Sequence, residues 1–147
     1  MYPDLWTKLA RRPVQALGGG WPACFNPLVT AGGRLTTHVL DVARGRPAEG
    51  VGVELFAVGD GARDLLATAE TNHHGRTDAP LAAGGALREQ TYECAFTVGP
   101  YLVGSGLAAT PPFFDVVAVR FTVTDAGRDH HVPLLLTPWS YTVYRGS

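Results

Sequence analysis

The stretch Val116-Val117-Ala118-Val119-Arg120-Phe121-Thr122-Val123-Thr124 decides how the rest of the chain is interpreted. Its apolar residues recur at every second position, at Val117, Val119, Phe121 and Val123. Because successive side chains of a β-strand point to opposite faces, this alternation predicts a strand with one face in a core and the other in solvent.

On both sides of this strand, further short stretches have strand character and are separated by turns rich in Gly, Pro and Asn. They span residues 35–42, 51–58, 65–71, 90–98, 131–136 and 140–144. A single helical turn is predicted around Tyr101-Leu102-Val103, and no long helix. About eight short strands at this spacing predict an all-β fold, an antiparallel β-sandwich.

The composition excludes several classes of protein. The chain has 147 residues, 46% hydrophobic and 17% charged, which is typical of one globular domain with a sizeable core. Its formal net charge of -1 gives no electrostatic basis for binding nucleic acid or an anionic membrane. No apolar stretch is long enough to span a bilayer, so we expect no membrane partner.

Residues 1–33 differ from the rest in their density of Gly and Pro, which breaks regular elements. We expect a flexible N-terminal leader or a linker to a neighbouring domain, followed by the folded domain at 34–147. After Arg11-Arg12 and the five residues that follow, Gly18-Gly19-Gly20 stands where the apolar core of an export signal should run. A cytoplasmic location is therefore expected.

The histidines and cysteines do not show the spacing of a metal site. His130 and His131 would point to opposite faces of a regular strand, and His73-His74 has no acidic or cysteine partner at motif spacing. Cys24 and Cys94 also lack such spacing. The sequence therefore predicts no metal.

Taken singly, the polar candidates have ordinary explanations. His38 within a strand is typical of a hydrogen-bonded structural residue, and Arg76 of a loop charge paired with Asp78. The end Tyr144-Arg145-Gly146-Ser147 is typical of a hydrophilic terminus. Together with His131 they supply what metal-free hydrolysis needs, an imidazole to accept a proton from water and guanidinium groups to stabilise an anion.

Four motifs, in this order along the chain, resemble the 5-hydroxyisourate hydrolase branch of the transthyretin-like family. The similarity covers about residues 34–147, and the last motif is the most specific because the hormone-carrier branch lacks it. The motifs are Leu35-Thr36-Thr37-His38-Val39-Leu40-Asp41 with Gly45-Arg46-Pro47-Ala48, then Thr71-Asn72-His73-His74-Gly75-Arg76, then His131-Val132-Pro133-Leu134-Leu135-Leu136, and the tail Tyr144-Arg145-Gly146-Ser147.

The resemblance implies an eight-stranded transthyretin (prealbumin)-like sandwich that assembles as a homotetramer, a dimer of dimers with active sites in the channel between dimers. It implies a small-molecule substrate, 5-hydroxyisourate of urate breakdown, whose six-membered ring is opened by water without a cofactor. The implied catalytic residues are His38, Arg76, His131 and Ser147, and the implied substrate-binding residues are Tyr144, Arg145 and Gly146.

Within this resemblance we expect a histidine to deprotonate the attacking water, with His131 preferred over His38. Arg76 would hold the purine-derived anion, and Ser147 would help to place water or substrate. The chain departs from the family at Asp129-His130-His131, where relatives often have His-Tyr-His, and this change can alter the pKa of His131.

Two further functions remain open. One is a transthyretin-like carrier that binds a small ligand without turning it over, and the other is a plain sandwich module for adhesion or assembly. The tail favours the enzyme, because neither alternative needs a terminal Tyr-Arg-Gly-Ser.

Overall fold

The computed structural model describes residues 32–146. Residues 1–31 and Ser147 lie outside this range, and so do the predictions made for them. Within the range the elements, in chain order, are β1 (Arg34–Asp41), β2 (Arg46–Pro47), β3 (Gly52–Gly59), β4 (Ala62–Glu70), β5 (Ala82–Ala83), a 3-10 turn (Gly84–Ala86), β6 (Gln90–Thr97), α1 (Gly99–Gly104), β7 (Val116–Val123), β8 (His130–Leu136) and β9 (Tyr141–Val143).

The strands form two sheets, which confirms the predicted β-sandwich. One sheet has the order β2-β1-β8-β9, with β5 also paired to β1, and the other has the order β4-β3-β6-β7. Neighbouring strands are antiparallel except β1 and β8, which run parallel. The sequence did not predict that parallel pair or the two-residue strands β2 and β5, because alternation identifies a strand but not its partner.

The core lies between the two sheets and is built from the alternating apolar residues of both. Tyr92 and Phe96 of β6 are fully buried, as are Leu134 and Leu136 of β8. Burying each such side chain contributes roughly 1.5–3 kcal/mol. Cys94 lies in the same core, where burial raises the pKa of its thiol to about 12, so it is protonated at neutral pH.

The helix α1 is the predicted single helical turn, and it is anchored to the end of β1. The Tyr101 hydroxyl donates a 2.7 Å hydrogen bond to Oδ2 of Asp41, a carboxylate that is only 1% exposed. The backbone N–H of Arg44 donates to Oδ1 of the same residue at 2.9 Å. These bonds satisfy the buried carboxylate and fix the loop after β1.

The described part begins just before β1. Gly33, which the sequence assigned to the leader, is buried, and its N–H donates to the Ala126 carbonyl at 2.8 Å.

No helix among residues 32–146 is both long and apolar enough to cross a membrane.

The two faces of β1 have different roles. Its odd-numbered residues, from Leu35 to Asp41, are buried, whereas Thr36, His38 and Leu40 are half-buried on the outer face. In the parallel register Thr36 lies opposite His131 of β8. This outer face, between β1 and β8, carries the candidate site.

Candidate active site

Strands β1 and β8 hold Thr36 and His131 in direct contact. Oγ1 of Thr36 lies 2.9 Å from Nδ1 of His131. The neighbouring His130 bonds elsewhere, with its Nε2 2.8 Å from the Asp125 carbonyl. Adjacent residues of β8 therefore have different partners, as expected for the two faces of a strand.

The turn at residues 72–76 is attached to β1 next to His38. The Val39 N–H donates to the Gly75 carbonyl at 2.8 Å, and the Arg76 N–H donates to Oδ1 of Asn72 at 3.3 Å. Gly75 has a φ of +71°, a backbone conformation that glycine adopts without strain. A Cβ there would collide with the Val39 carbonyl and lie 3.1 Å from Cδ2 of His38. The glycine lets the turn pack against the histidine.

This turn brings Arg76 to the site, and the interpretation of Arg76 as a partner of Asp78 is wrong. Oδ1 of Asp78 accepts instead from Nδ2 of Asn72 at 2.8 Å. Among residues 32–146, Arg76 forms no ion pair. The guanidinium, together with Thr36 and His131, lines a cleft of about 240 Å³ that is also lined by Asp129 and His130.

Both candidate imidazoles are held towards their neutral forms. Burial lowers the pKa of His131, and the nearby Arg76 charge lowers it further, while a hydrogen bond with the Thr36 backbone opposes the shift. Burial is also the main cause that lowers the pKa of His38, followed by Arg76, with the His74 backbone acting in the opposite direction. A neutral imidazole can accept a proton from water.

His38 contains a polar atom whose hydrogen-bonding capacity is unused. Its Nε2 is buried and has no hydrogen-bond partner within residues 32–146. Leaving a buried polar atom unpaired costs about 1–3 kcal/mol, so such atoms are uncommon and call for an explanation. A ligand or a water molecule that reached this atom would satisfy it, but His38 is not among the residues that line the cleft of about 240 Å³.

The C-terminal tail lies against the ring of His131. The Gly146 N–H donates to the His131 carbonyl at 2.9 Å, which continues the sheet by one bridge. A Cβ on Gly146 would lie 2.6 Å from Cδ2 of His131, so a larger residue here requires the ring or the tail to shift. Tyr144 and Arg145 are exposed and line a second cleft of about 360 Å³, which His131 also borders.

The structure therefore brings together His38, Arg76, His131 and Gly146. Tyr144 and Arg145 lie at the second cleft, and Ser147 is outside the described residues. Sequence reasoning missed Thr36 as a site residue, although it shares a strand face with His38. The register that places it against His131 carries no signal in the sequence.

One other cleft contains polar side chains but neither of the candidate histidines His38 and His131. A cleft of about 580 Å³ is lined by Arg44, Arg46, His73 and Tyr101, at the end of β1 that binds α1. In the part of the chain that the structure describes, no three His, Cys, Asp or Glu side chains are grouped as metal ligands would be.

The fold, together with the polar site on its outer face, defines a transthyretin-like β-sandwich. Residues 35–146 match the HIUase/Transthyretin family, and the chain belongs to that family.

Known proteins of this family include enzymes. A 5-hydroxyisourate hydrolase from Deinococcus radiodurans is 56% identical over 113 residues, which cover 77% of this chain and 95% of the relative. The solved structure of Klebsiella pneumoniae 5-hydroxyisourate hydrolase has a TM-score of 0.66 at 31% identity, covering 78% of this chain and 99% of that one. The crystal structure of (S)-allantoin synthase has a TM-score of 0.74 at 35% identity, covering 81% of this chain but only 46% of that longer chain.

Proposed function

We propose that this protein hydrolyses 5-hydroxyisourate and opens its six-membered ring, a step of urate breakdown. Support comes from the 56% identity to a relative of that name. The observation that carries the proposal is the arrangement of two imidazoles, both favoured in the neutral form, beside Arg76 on one outer face.

In the proposed reaction His131 acts as the general base. It takes a proton from water while the water oxygen bonds to a ring carbonyl carbon. The adjacent carbon–nitrogen bond then breaks, and the ring nitrogen receives the proton that His131 took from water. The opened product keeps the new carboxyl group, which gives up its proton to solvent. A positioned base of this kind contributes about 10²–10⁴-fold to rate.

Arg76 is proposed to bind the substrate anion and the negative charge that develops on the attacked carbonyl oxygen. A guanidinium suits this role because its fixed N–H groups form paired hydrogen bonds to planar oxyanions. The lack of an ion pair to Arg76 among residues 32–146 supports the assignment.

His38 is proposed to hydrogen-bond the water or the substrate through its unpartnered Nε2. Tyr144, Arg145 and Gly146 are proposed to border the substrate, with Ser147 placing water or substrate at the chain end. The backbone bond from Gly146 to His131 supports a tail that reaches the reacting atoms.

The reaction is proposed to need no metal and no other cofactor, because imidazole and guanidinium together supply a base and charge stabilisation. Full activity after prolonged dialysis against a chelator is the expected result. Loss of activity that added metal restores would contradict this part of the proposal.

Assembly as a homotetramer, a dimer of dimers, and a cytoplasmic location are also proposed. The outer face of β1 and β8 supports assembly, because Leu40 and Leu135 remain only half-buried in the single chain. Light scattering on the purified protein should give the mass of four chains, and cell fractionation should place it with cytoplasmic proteins.

One assay tests the function directly. Urate oxidase generates 5-hydroxyisourate in a cuvette, and its ultraviolet absorbance should decay faster when catalytic amounts of this protein are added. The alternative is a carrier, since the family also includes the transthyretins. Binding of a small ligand in proportion to protein, without faster decay, would favour the carrier.

A further inference from the structure

The hydroxyl of Thr36 has two possible partners on β8. Its Oγ1 lies 2.9 Å from Nδ1 of His131 and 3.4 Å from the carbonyl oxygen of His130. The parallel register, with Thr36 opposite His131, places both partners beside one short side chain. Because Thr is β-branched, its hydroxyl has few rotamers in a strand and stays near these atoms.

The proton count at this hydroxyl constrains the ring of His131. A hydroxyl donates one hydrogen bond, and a carbonyl oxygen can only accept. If Thr36 donates to the carbonyl of His130, its oxygen faces Nδ1 as an acceptor. Nδ1 must then carry the ring proton, and Nε2 of the neutral imidazole carries none.

The opposite edge of the ring faces the tail. Cδ2 of His131, which is bonded to Nε2, lies on the side where Gly146 packs. The imidazole is thus held between the Thr36 hydroxyl on its Nδ1 edge and the Gly146 backbone on its Cδ2 edge. A ring held at one nitrogen by a neighbour keeps the other nitrogen oriented for its task.

We propose that Thr36 is a positioning residue that holds neutral His131 in the Nδ1–H tautomer, with Nε2 as the atom that accepts the proton from water. The assignment of Nε2 as the base rests on the proposed function. The tautomer is inferred from the hydrogen bond that Thr36 donates to the His130 carbonyl, and it can be measured without any substrate.

The first experiment measures the tautomer. In protein with ¹⁵N-labelled histidine, the protonated ring nitrogen resonates upfield of the unprotonated one, and the signals of His131 are assigned by their loss in His131→Asn. Above the pKa of His131, wild type and Thr36→Ser should show protonated Nδ1 and bare Nε2. Thr36→Val, which keeps the shape and removes the hydroxyl, should show a mixture of tautomers.

The second experiment measures turnover. Thr36→Val should lower kcat about tenfold, the effect expected for losing one oriented hydrogen bond, with KM nearly unchanged. Thr36→Ser should keep most of the wild-type kcat. A merely structural role would instead affect both variants through their melting temperatures, which circular dichroism records.

The pH profile gives a further readout. All the other titratable or charged groups that line the two clefts bordered by His131, or that act on its neighbour His38, remain in Thr36→Val. They are His38, Arg76, Arg120, Asp129, His130, Tyr144 and Arg145. The lost hydroxyl oxygen stabilises the imidazolium as a hydrogen-bond acceptor. The acid limb of kcat/KM should therefore move to lower pH in the variant.

The outcomes separate the two proposals. Protonated Nε2 in the wild type, or a Thr36→Ser variant as impaired as Thr36→Val, would overturn the role of Thr36. An altered tautomer with unchanged kcat would overturn the assignment of Nε2 as the base. If wild type fails to accelerate 5-hydroxyisourate decay, the proposed function fails, whereas the tautomer measurement still decides what Thr36 does.

Discussion

The outer faces of the two sheets differ in how their polar groups are satisfied. On the sheet β4-β3-β6-β7, the Glu93 carboxylate accepts from Nε of Arg63 and from Nη2 of Arg120, each at 2.8 Å. The guanidinium of Arg63 also lies 3.2 Å from the centroid of the Phe56 ring. Every charge in this cluster has a partner.

On the site face between β1 and β8, the polar groups are incompletely paired. Nε2 of His38 has no partner and Arg76 forms no ion pair among residues 32–146. Unpaired polar atoms in a half-buried position reduce stability, and they persist where a ligand satisfies them. The comparison indicates that the first face contributes to folding, and it supports the proposal that the second face binds the substrate.

Substitution of His131 should have the largest effect. His131→Asn should lower kcat by about 10²–10⁴-fold, because the proposed general base is lost. The matched control is Arg63→Lys on the other face, which should keep activity within about twofold because it contacts no site residue. Wild-type ring opening by His131→Asn would remove this residue from the mechanism.

Arg76→Gln should lower kcat/KM by about 10²-fold, because stabilisation of a developing anion is lost. Its pH profile should also change in a defined direction. A base works when neutral, and Arg76 helps to hold the pKa of His131 below its ordinary 6.5, so wild type should stay active below that pH. Without Arg76 the pKa rises, and the acid limb should move to higher pH. If the acid limb of the pH profile stayed at the same pH in Arg76→Gln, the charge of Arg76 would not affect the pKa of His131.

Gly146→Ala should lower kcat about tenfold, because the new methyl group displaces either the tail or the His131 ring. The melting temperature should change little, because a single bridge holds Gly146 among residues 32–146. A control is Gly59→Ala, where a Cβ meets nothing within 4 Å and activity should be kept. Equal rates for the two variants would contradict the proposed position of the tail.

Glu93→Gln should leave turnover unchanged and lower the free energy of unfolding by about 1 kcal/mol, since solvent screens arginines that are about half exposed. The hydrogen bond from Arg120 is the main cause that lowers the pKa of Glu93 below 4.5. The ionised Glu93 therefore contributes its full stabilisation above pH 4.5. This stabilisation is lost as the pH falls through the lower pKa of Glu93 in the folded protein. Urea denaturation should separate the two proteins near neutral pH and bring their curves together in acid.

Strand alternation made most of the fold predictable from sequence. In β7 the residues Val117 and Val123 are buried where the pattern placed them, and in β1 His38 lies on the outer face. Turn chemistry was also informative, because Gly75, which has a positive φ, is a residue type that tolerates this conformation. Strand faces and turn conformations are predictable because they depend on residues that are close together in the sequence.

The contacts of the site could not be predicted in the same way. Thr36 and His131 are 95 positions apart, and their contact depends on which residue of β8 lies opposite which residue of β1. A slip of one position would turn His131 to the other face without changing either strand's composition. A resemblance to known enzymes therefore identified the histidines, whereas Thr36 became visible only when the strands were paired.

The buried thiol of Cys94 can report how often the core of the protein opens. Reagents that alkylate thiolates reach it only when the two sheets part, because the closed core both shields the sulfur and keeps its proton on. With Cys24 replaced by Ser, the alkylation rate would report that opening at a single atom. A ligand bound at the outer face of β1 and β8 should slow the alkylation of Cys94 if binding there also reduces opening of the core.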